Sequence, residues 1–129
     1  MKSRFIWIVI VLAVFLALFW FVTNEEKPVL EENFVDIAEM WVLEDSPTYV
    51  YDGENLVFKE EKEVVLNDES AYSFTFTFDS RHGGYGDRAG KIITQVITLH
   101  EIEVVVFDGE IISAVSDGIF DEINEIILE

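Results

Sequence analysis

Residues Ala71–Asp79, read Ala-Tyr-Ser-Phe-Thr-Phe-Thr-Phe-Asp, alternate ring and polar side chain without a break. At the two-residue period of a β-strand, Tyr72, Phe74, Phe76 and Phe78 project from one face. Ser73, Thr75, Thr77 and Asp79 project from the other. Four rings on one face must be covered, so the chain has to supply an apolar layer against this strand. A ring row at this period serves a core more readily than a ligand cradle.

The covering layer is legible upstream. Phe34, Ile37, Ala38, Trp41 and Val42 recur at helical spacing, with Asp36, Glu39 and Glu44 between them. This predicts an amphipathic helix over Asn33–Glu44, with Asn33 as its N-cap. Ser46-Pro47 ends it, because a residue before proline avoids the helical region. Beyond it the period becomes two. Thr48–Tyr51 reads as a short strand and Asp52-Gly53 as a turn. Leu56–Phe58 and Val64–Leu66 flank a charged Lys59–Glu63 as an irregular edge strand, and Asn67–Glu69 turns the chain into the aromatic strand.

Ile92–Phe107 is β-branched throughout. As one strand it would run ~53 Å, so a break is expected at Leu99-His100. Asp108-Gly109 makes a hairpin into Glu110–Ser116, and Asp117-Gly118 closes that strand. Ile119, Phe120, Ile123, Ile126 and Ile127 return to helical spacing and predict a short C-terminal helix. The fold class is therefore α+β: one helix packed on an antiparallel sheet of roughly four or five strands, with a short C-terminal helix. This order of elements resembles the cystatin-like helix-on-curved-sheet folds, a likeness that implies no function. Val50–Glu54 and Val106–Glu110 are alike (Val-Tyr-Asp-Gly-Glu and Val-Phe-Asp-Gly-Glu), which shared hairpin chemistry explains without a repeat.

Ahead of this domain, residues 1–22 are a basic start, Lys2 and Arg4, followed by the apolar run Phe5–Val22. At ~1.5 Å per residue the run reaches ~27 Å, about the hydrocarbon thickness of a bilayer. Trp7 and Trp20 lie near its ends, where indoles favour the interface. No small-x-small cleavage site follows, so a signal anchor is expected over 1–22, spanning the lipid bilayer through residues 5–22. Residues 23–32 read as an acidic tether and 33–129 as the folded domain. Positive charge at the N-terminus keeps that end cytoplasmic, which places the domain outside the cytoplasm in a single-pass arrangement at the cell membrane.

Charge narrows the partners. The chain carries −18 overall, and since Lys2 and Arg4 are its only charges before Glu25, the remainder is more negative still. Such a surface repels nucleic acid. Cysteine is absent, which excludes disulfides, thiolate metal sites and an acyl anchor on an N-terminal cysteine.

Asp79–Lys91 is the chemically distinct stretch. Arg81, His82, Gly83, Gly84, Tyr85, Gly86, Asp87 and Arg88 are the candidate binding residues within it. Successive glycines can turn backbone N–H groups inward as an anion nest, and two arginines add forked donors for a carboxylate or phosphate. Neither a dinucleotide fingerprint nor a P-loop is spelled out. The alternative use of the same residues is a long hairpin loop, its arginines paired with Asp79 and Asp87. His82 and His100 are the only imidazoles. In a simple hairpin about this loop, residue numbers summing to about 171 face each other. His100 then lies opposite Ala71, ~30 Å from His82, too far for a shared metal. Calcium would suit the many carboxylates, but no Asp-x-Asp-x-Asp-Gly order occurs, so no cofactor is expected. No Gly-x-Ser-x-Gly elbow accompanies Ser80-Arg81-His82.

The stretches FDSRHGGYGDRAG and HEIEVVVFDGEIISAVSDG, within residues 79–118 at most, resemble segments of uncharacterised membrane-anchored proteins of archaea. The resemblance implies a membrane setting and no particular activity. Three functions follow from the residues. The first is a membrane-anchored extracytoplasmic binding or accessory module that meets a protein or small anion through 79–91. The second is a small hydrolase-like enzyme using His82 with Asp79 or Asp87 and Arg81 or Arg88. The third is a structural surface protein in which internal ion pairs occupy both arginines.

Overall fold

The computed structural model describes residues 30–129, with side chains from Phe34 onward. The expected anchor over 1–22 and most of the tether over 23–32 lie outside the described residues. Among those described, no helix is long and apolar enough to cross a membrane.

Helix α1 (Leu30–Asp45) is followed at once by helix α2 (Pro47–Asp52). The strands are β1 (Gly53–Leu66), β2 (Glu69–Ser80), β3 (Thr98–Phe107), β4 (Glu110–Ser116), β5 (Phe120–Asp121) and β6 (Ile126–Ile127). They form one six-stranded sheet in the order β1-β2-β3-β4-β5-β6, every neighbour antiparallel. The α+β class holds, with one strand more than the upper expectation.

The aromatic row forms the core, as its period requires. Phe74, Phe76 and Phe78 are buried, and β3 places Val104, Ile102 and His100 opposite them. Ala38 and Val42 of α1 close the layer, with Phe34, Val35 and Trp41 packed at its margin. The reverse face of the sheet is polar, Thr75 pairing with Glu103 and Thr77 with Glu101. Each buried ring contributes about 2–3 kcal/mol of transfer free energy, so this row outweighs any single polar contact. Helix α1 follows the direction of β2. Its Phe34 lies 5.6 Å from Tyr72 between ring centroids, whereas Tyr49, just past its C-terminus, lies 5.2 Å from Phe78. These two contacts are six residues apart on β2, or ~20 Å. The β2–β3 loop and the start of α1 therefore sit at opposite ends of the sheet.

Four expectations are corrected. Helix α1 starts at Leu30, so Asn33 lies inside it. Residues 48–51 are helical, because Pro47 occupies the first helical position, where its fixed φ is already suitable and its missing N–H costs nothing. The irregular edge strand expected around Lys59–Glu63 is found as β1, its irregularity taken up as register shifts at Glu54/Val57 and Phe58/Glu60, with Asn55 at φ 58° in the first. Residues 91–97 leave the sheet, so β3 begins at Thr98 and the expected bend is not needed. The C-terminal helix is absent: β5 and β6 pair there, and a turn at Asp121 accepts from the N–H groups of Ile123 and Asn124. The repeated Asp-Gly-Glu motif also divides. Asp108 (φ 50°) and Gly109 (φ 76°) make the hairpin turn, whereas Gly53 sits at φ −71° after a helix.

Candidate functional site

The glycine loop rests on a buried polar cluster assembled from α2, the end of β2 and the loop itself. Arg88 is its centre, with only 2 % of its surface exposed. One of its terminal nitrogens donates to Asp52 Oδ1 at 2.5 Å, with Ser80 Oγ at 3.3 Å and the Thr48 carbonyl at 3.4 Å. The other donates to the Gly84 carbonyl at 2.6 Å. The guanidinium carbon lies 4.6 Å from the Tyr51 ring centroid, a cation–π contact that suits the flat, weakly hydrated arginine head.

Asp52 gathers the remaining donors. His82 Nδ1 lies 2.8 Å from Asp52 Oδ2, and since a carboxylate only accepts, Nδ1 carries the proton. The Ser80 hydroxyl, buried, lies 2.5 Å from Asp52 Oδ1 and 2.9 Å from the His82 carbonyl. Burial pushes the Asp52 carboxyl up, but donation from Ser80 and His82 and the charge of Arg88 outweigh it and hold the group below its ordinary value. The carboxylate is thus ionised and fully engaged.

The glycines serve the same cluster. Gly86 is buried at φ 69°, a conformation that glycine adopts without cost, and its N–H donates to Thr48 Oγ1 at 2.9 Å. A Cβ there would meet the Phe120 ring at 3.3 Å. The Gly83 N–H donates to the Thr94 carbonyl at 2.9 Å. Two of the amides a nest would need are therefore committed inside the protein. Tyr85 stacks on Phe120, centroids 5.3 Å apart, and donates to Asp117 Oδ2 at 2.9 Å. Burial and the neighbouring Asp117 charge push its hydroxyl up to about 12.

A second imidazole–carboxylate pair lies beneath Tyr85. Buried His100 gives Nδ1 to Asp117 Oδ2 at 2.7 Å, between the Phe78 and Tyr85 rings. Burial raises the Asp117 carboxyl, but the Glu101 N–H, His100 and Tyr85 together hold it below its ordinary value. A third acid, Glu122, fully buried, accepts from the Thr48 N–H at 3.1 Å and from the Ser116 hydroxyl at 2.5 Å, tying the C-terminal segment to α2.

The pairings expected from the sequence are corrected here. Arg81 bonds Glu54 at 3.0 Å and Arg88 bonds Asp52; neither uses Asp79 or Asp87. Asp79 instead accepts from Asn55, and Asp87 from the Ala89 N–H. The carboxylate that orients His82 is likewise Asp52. His100 faces Phe78 and not Ala71, so residue numbers sum to 178 across the hairpin. The shift arises because 91–97 belong to the loop. It brings His100 much nearer to His82 than ~30 Å, yet each imidazole holds its own aspartate. Among the described residues no group of His, Asp and Glu side chains has metal-site geometry. Sequence reasoning missed Asp52, Thr48 and Glu122 as site residues, and weighed Ser80 only as a nucleophile beside His82. Their one signal was the Ser-Pro before Thr48, which starts the helix that delivers two of them.

The outer side of the loop is different. Ile92 is fully exposed, and Val96, Ile97 and Leu99 follow it to the surface. A polar depression of about 310 Å³ lies between the end of α2, the start of β1 and Arg81, lined by Val50, Tyr51, Asp52, Gly53, Glu54 and Arg81. Comparison of the chain with protein-family models, curated proteins and solved structures found no match.

Proposed function

We propose that this chain is a membrane-anchored, extracytoplasmic, non-catalytic binding module, held in the bilayer through residues 5–22. Its loop after β2 has two divided tasks. The glycine–arginine half, 79–91, is the scaffold. The aliphatic half, 92–97, together with Leu99 at the start of β3, is the contact surface. The observation that carries this reading is exposure: Ile92 is fully exposed and Ile97 keeps 71 % of its surface, on a loop pinned by a buried arginine. Apolar side chains held in the open on a rigid support bind at low entropic cost. The loop also lies at the end of the sheet away from the start of α1, which is the end nearer in sequence to the proposed anchor.

The test compares full-length chain with Ile92→Ser/Ile97→Ser in pull-downs from native membranes. Loss of one specific partner from the variant alone supports the proposal. Identical captures overturn it and leave the structural reading, which internal pairing of Arg81 and Arg88 already favours.

The hydrolase-like reading draws on the His82–Asp52 pair beside the polar depression. Ser80 cannot be its nucleophile, being buried and hydrogen-bonded to Asp52. Only a water activated by His82 would remain. His82→Gln should then abolish any hydrolysis that the wild type performs, and activity that survives the change removes this reading.

A further inference from the structure

We infer that residues 91–99 are a self-association surface, and that their occupant is a second copy of this chain. The inference rests on the reading of this segment as the contact surface. Lys91-Ile-Ile-Thr-Gln-Val-Ile-Thr-Leu99 has no proline, no glycine and no acid, and is rich in β-branched residues. Short segments of that composition pair with identical segments when they are left exposed. Among the described residues, only the Gly83–Thr94 and Thr98–Val96 bonds engage the backbone of 92–97. The other peptide groups of these six residues make no hydrogen bond among the described residues, and a neighbouring strand would satisfy them.

Charge selects the occupant. No acid occurs in the sequence between Asp87 and Glu101, and the one acid that strand pairing sets opposite the segment is Asp79, across from Leu99, whereas the other edges and turns of the sheet carry more. The free edge of the sheet, β1, bears Glu54, Glu60, Glu61 and Glu63 against Lys59 and Lys62, and so stays net negative. The turns at the far end bear Asp68, Glu69, Asp108 and Glu110. The exposed isoleucines of the C-terminal edge sit among Asp121, Glu125 and Glu129. For a chain of charge −18, the 91–99 segment is where two copies meet with least repulsion.

The experiment is sedimentation equilibrium of the full chain in a non-ionic detergent. The wild type is expected to dimerise. Association should tighten between about 0.01 M and 0.15 M ionic strength, as the Debye length falls from about 30 Å to about 8 Å and screens the acidic surfaces. Ile97→Glu should weaken it about tenfold or more, Ile97→Val by less than about threefold. Because Ile97 is exposed, both variants should keep the wild-type circular dichroism. The chain lacks cysteine, so Gln95→Cys should give an oxidised dimer and Lys59→Cys on β1 should not. A monomeric wild type, or a dimer unchanged by Ile97→Glu, overturns self-association. If in that case the Ile92→Ser/Ile97→Ser pull-down still loses a partner, the occupant is a different protein and the contact surface stands. If it loses none, both readings fail.

Discussion

Replacing Asp52 by Asn tests whether the loop is held by the buried ion pair. The change keeps the side chain's shape and removes the charge facing Arg88. It also leaves Ser80 and His82 with a poorer acceptor. Asp52 keeps 8 % of its side-chain surface and Arg88 2 %, so water cannot replace the lost partner. Breaking one side of such a pair costs about 3–5 kcal/mol. A retained amide oxygen places Asp52→Asn near the lower end, ~3 kcal/mol. That is a large share of the ~5–15 kcal/mol available to a domain of this size. Arg88→Met should cost a similar amount, because it strands the carboxylate instead. The double variant should cost less than the sum by ~2 kcal/mol, since neither charge is then left alone. Urea unfolding followed by circular dichroism measures all three. Hydrogen exchange at the Gly83 and Gly86 N–H groups reports whether the loop loosens first. Arg81→Ala, which breaks the exposed pair with Glu54, is the control and should leave the midpoint unmoved. Single changes costing under ~1 kcal/mol and adding without coupling would refute the claim that this pair pins the loop.

Three further outcomes are expected. Gly86→Ala forces an L-residue to φ 69° and drives its Cβ to 3.3 Å from Phe120, so it should cost about 1–3 kcal/mol in thermal unfolding. Gly90→Ala has φ 73° and nothing within 4 Å, so it should show the backbone part of that cost alone. In acid, Asp52 and Asp117 have folded values below their ordinary 3.8, so their contribution is complete above that value. It is lost as pH falls through the folded values, and Asp117→Asn should flatten the drop in a urea-midpoint series below about pH 4. In base, the Tyr85 hydroxyl stays protonated up to about 12 while the unfolded chain ionises near 10. Stability is therefore lost as pH rises through that window, and Tyr85→Phe should remove the loss.

Much of the fold was readable from local pattern. The aromatic row of β2, the apolar stripe of α1 and the Asp108-Gly109 hairpin each follow from a period or a turn rule acting over a few residues. Where two short-range signals competed, the pattern failed. Pro47 could end one helix or begin the next. The isoleucines of the C-terminus fit helical spacing, but pairing with the sheet satisfied their backbone instead. Arg81, His82 and Arg88 stood out by type, yet their partners did not.

The alternation in Ala71–Asp79, the acid-free run after Asp87 and the apolar segment Phe5–Val22 are properties of the amino-acid order, and needed no coordinates. Which carboxylate meets which cation is a long-range matter. Asp52 lies 36 positions before Arg88, and Thr48 lies 74 before Glu122. Only the packing of α1 along β2, which carries α2 to the loop end of the sheet, makes those encounters possible. Charges and hydrogen bonds act over a few ångströms in space and are indifferent to distance along the chain.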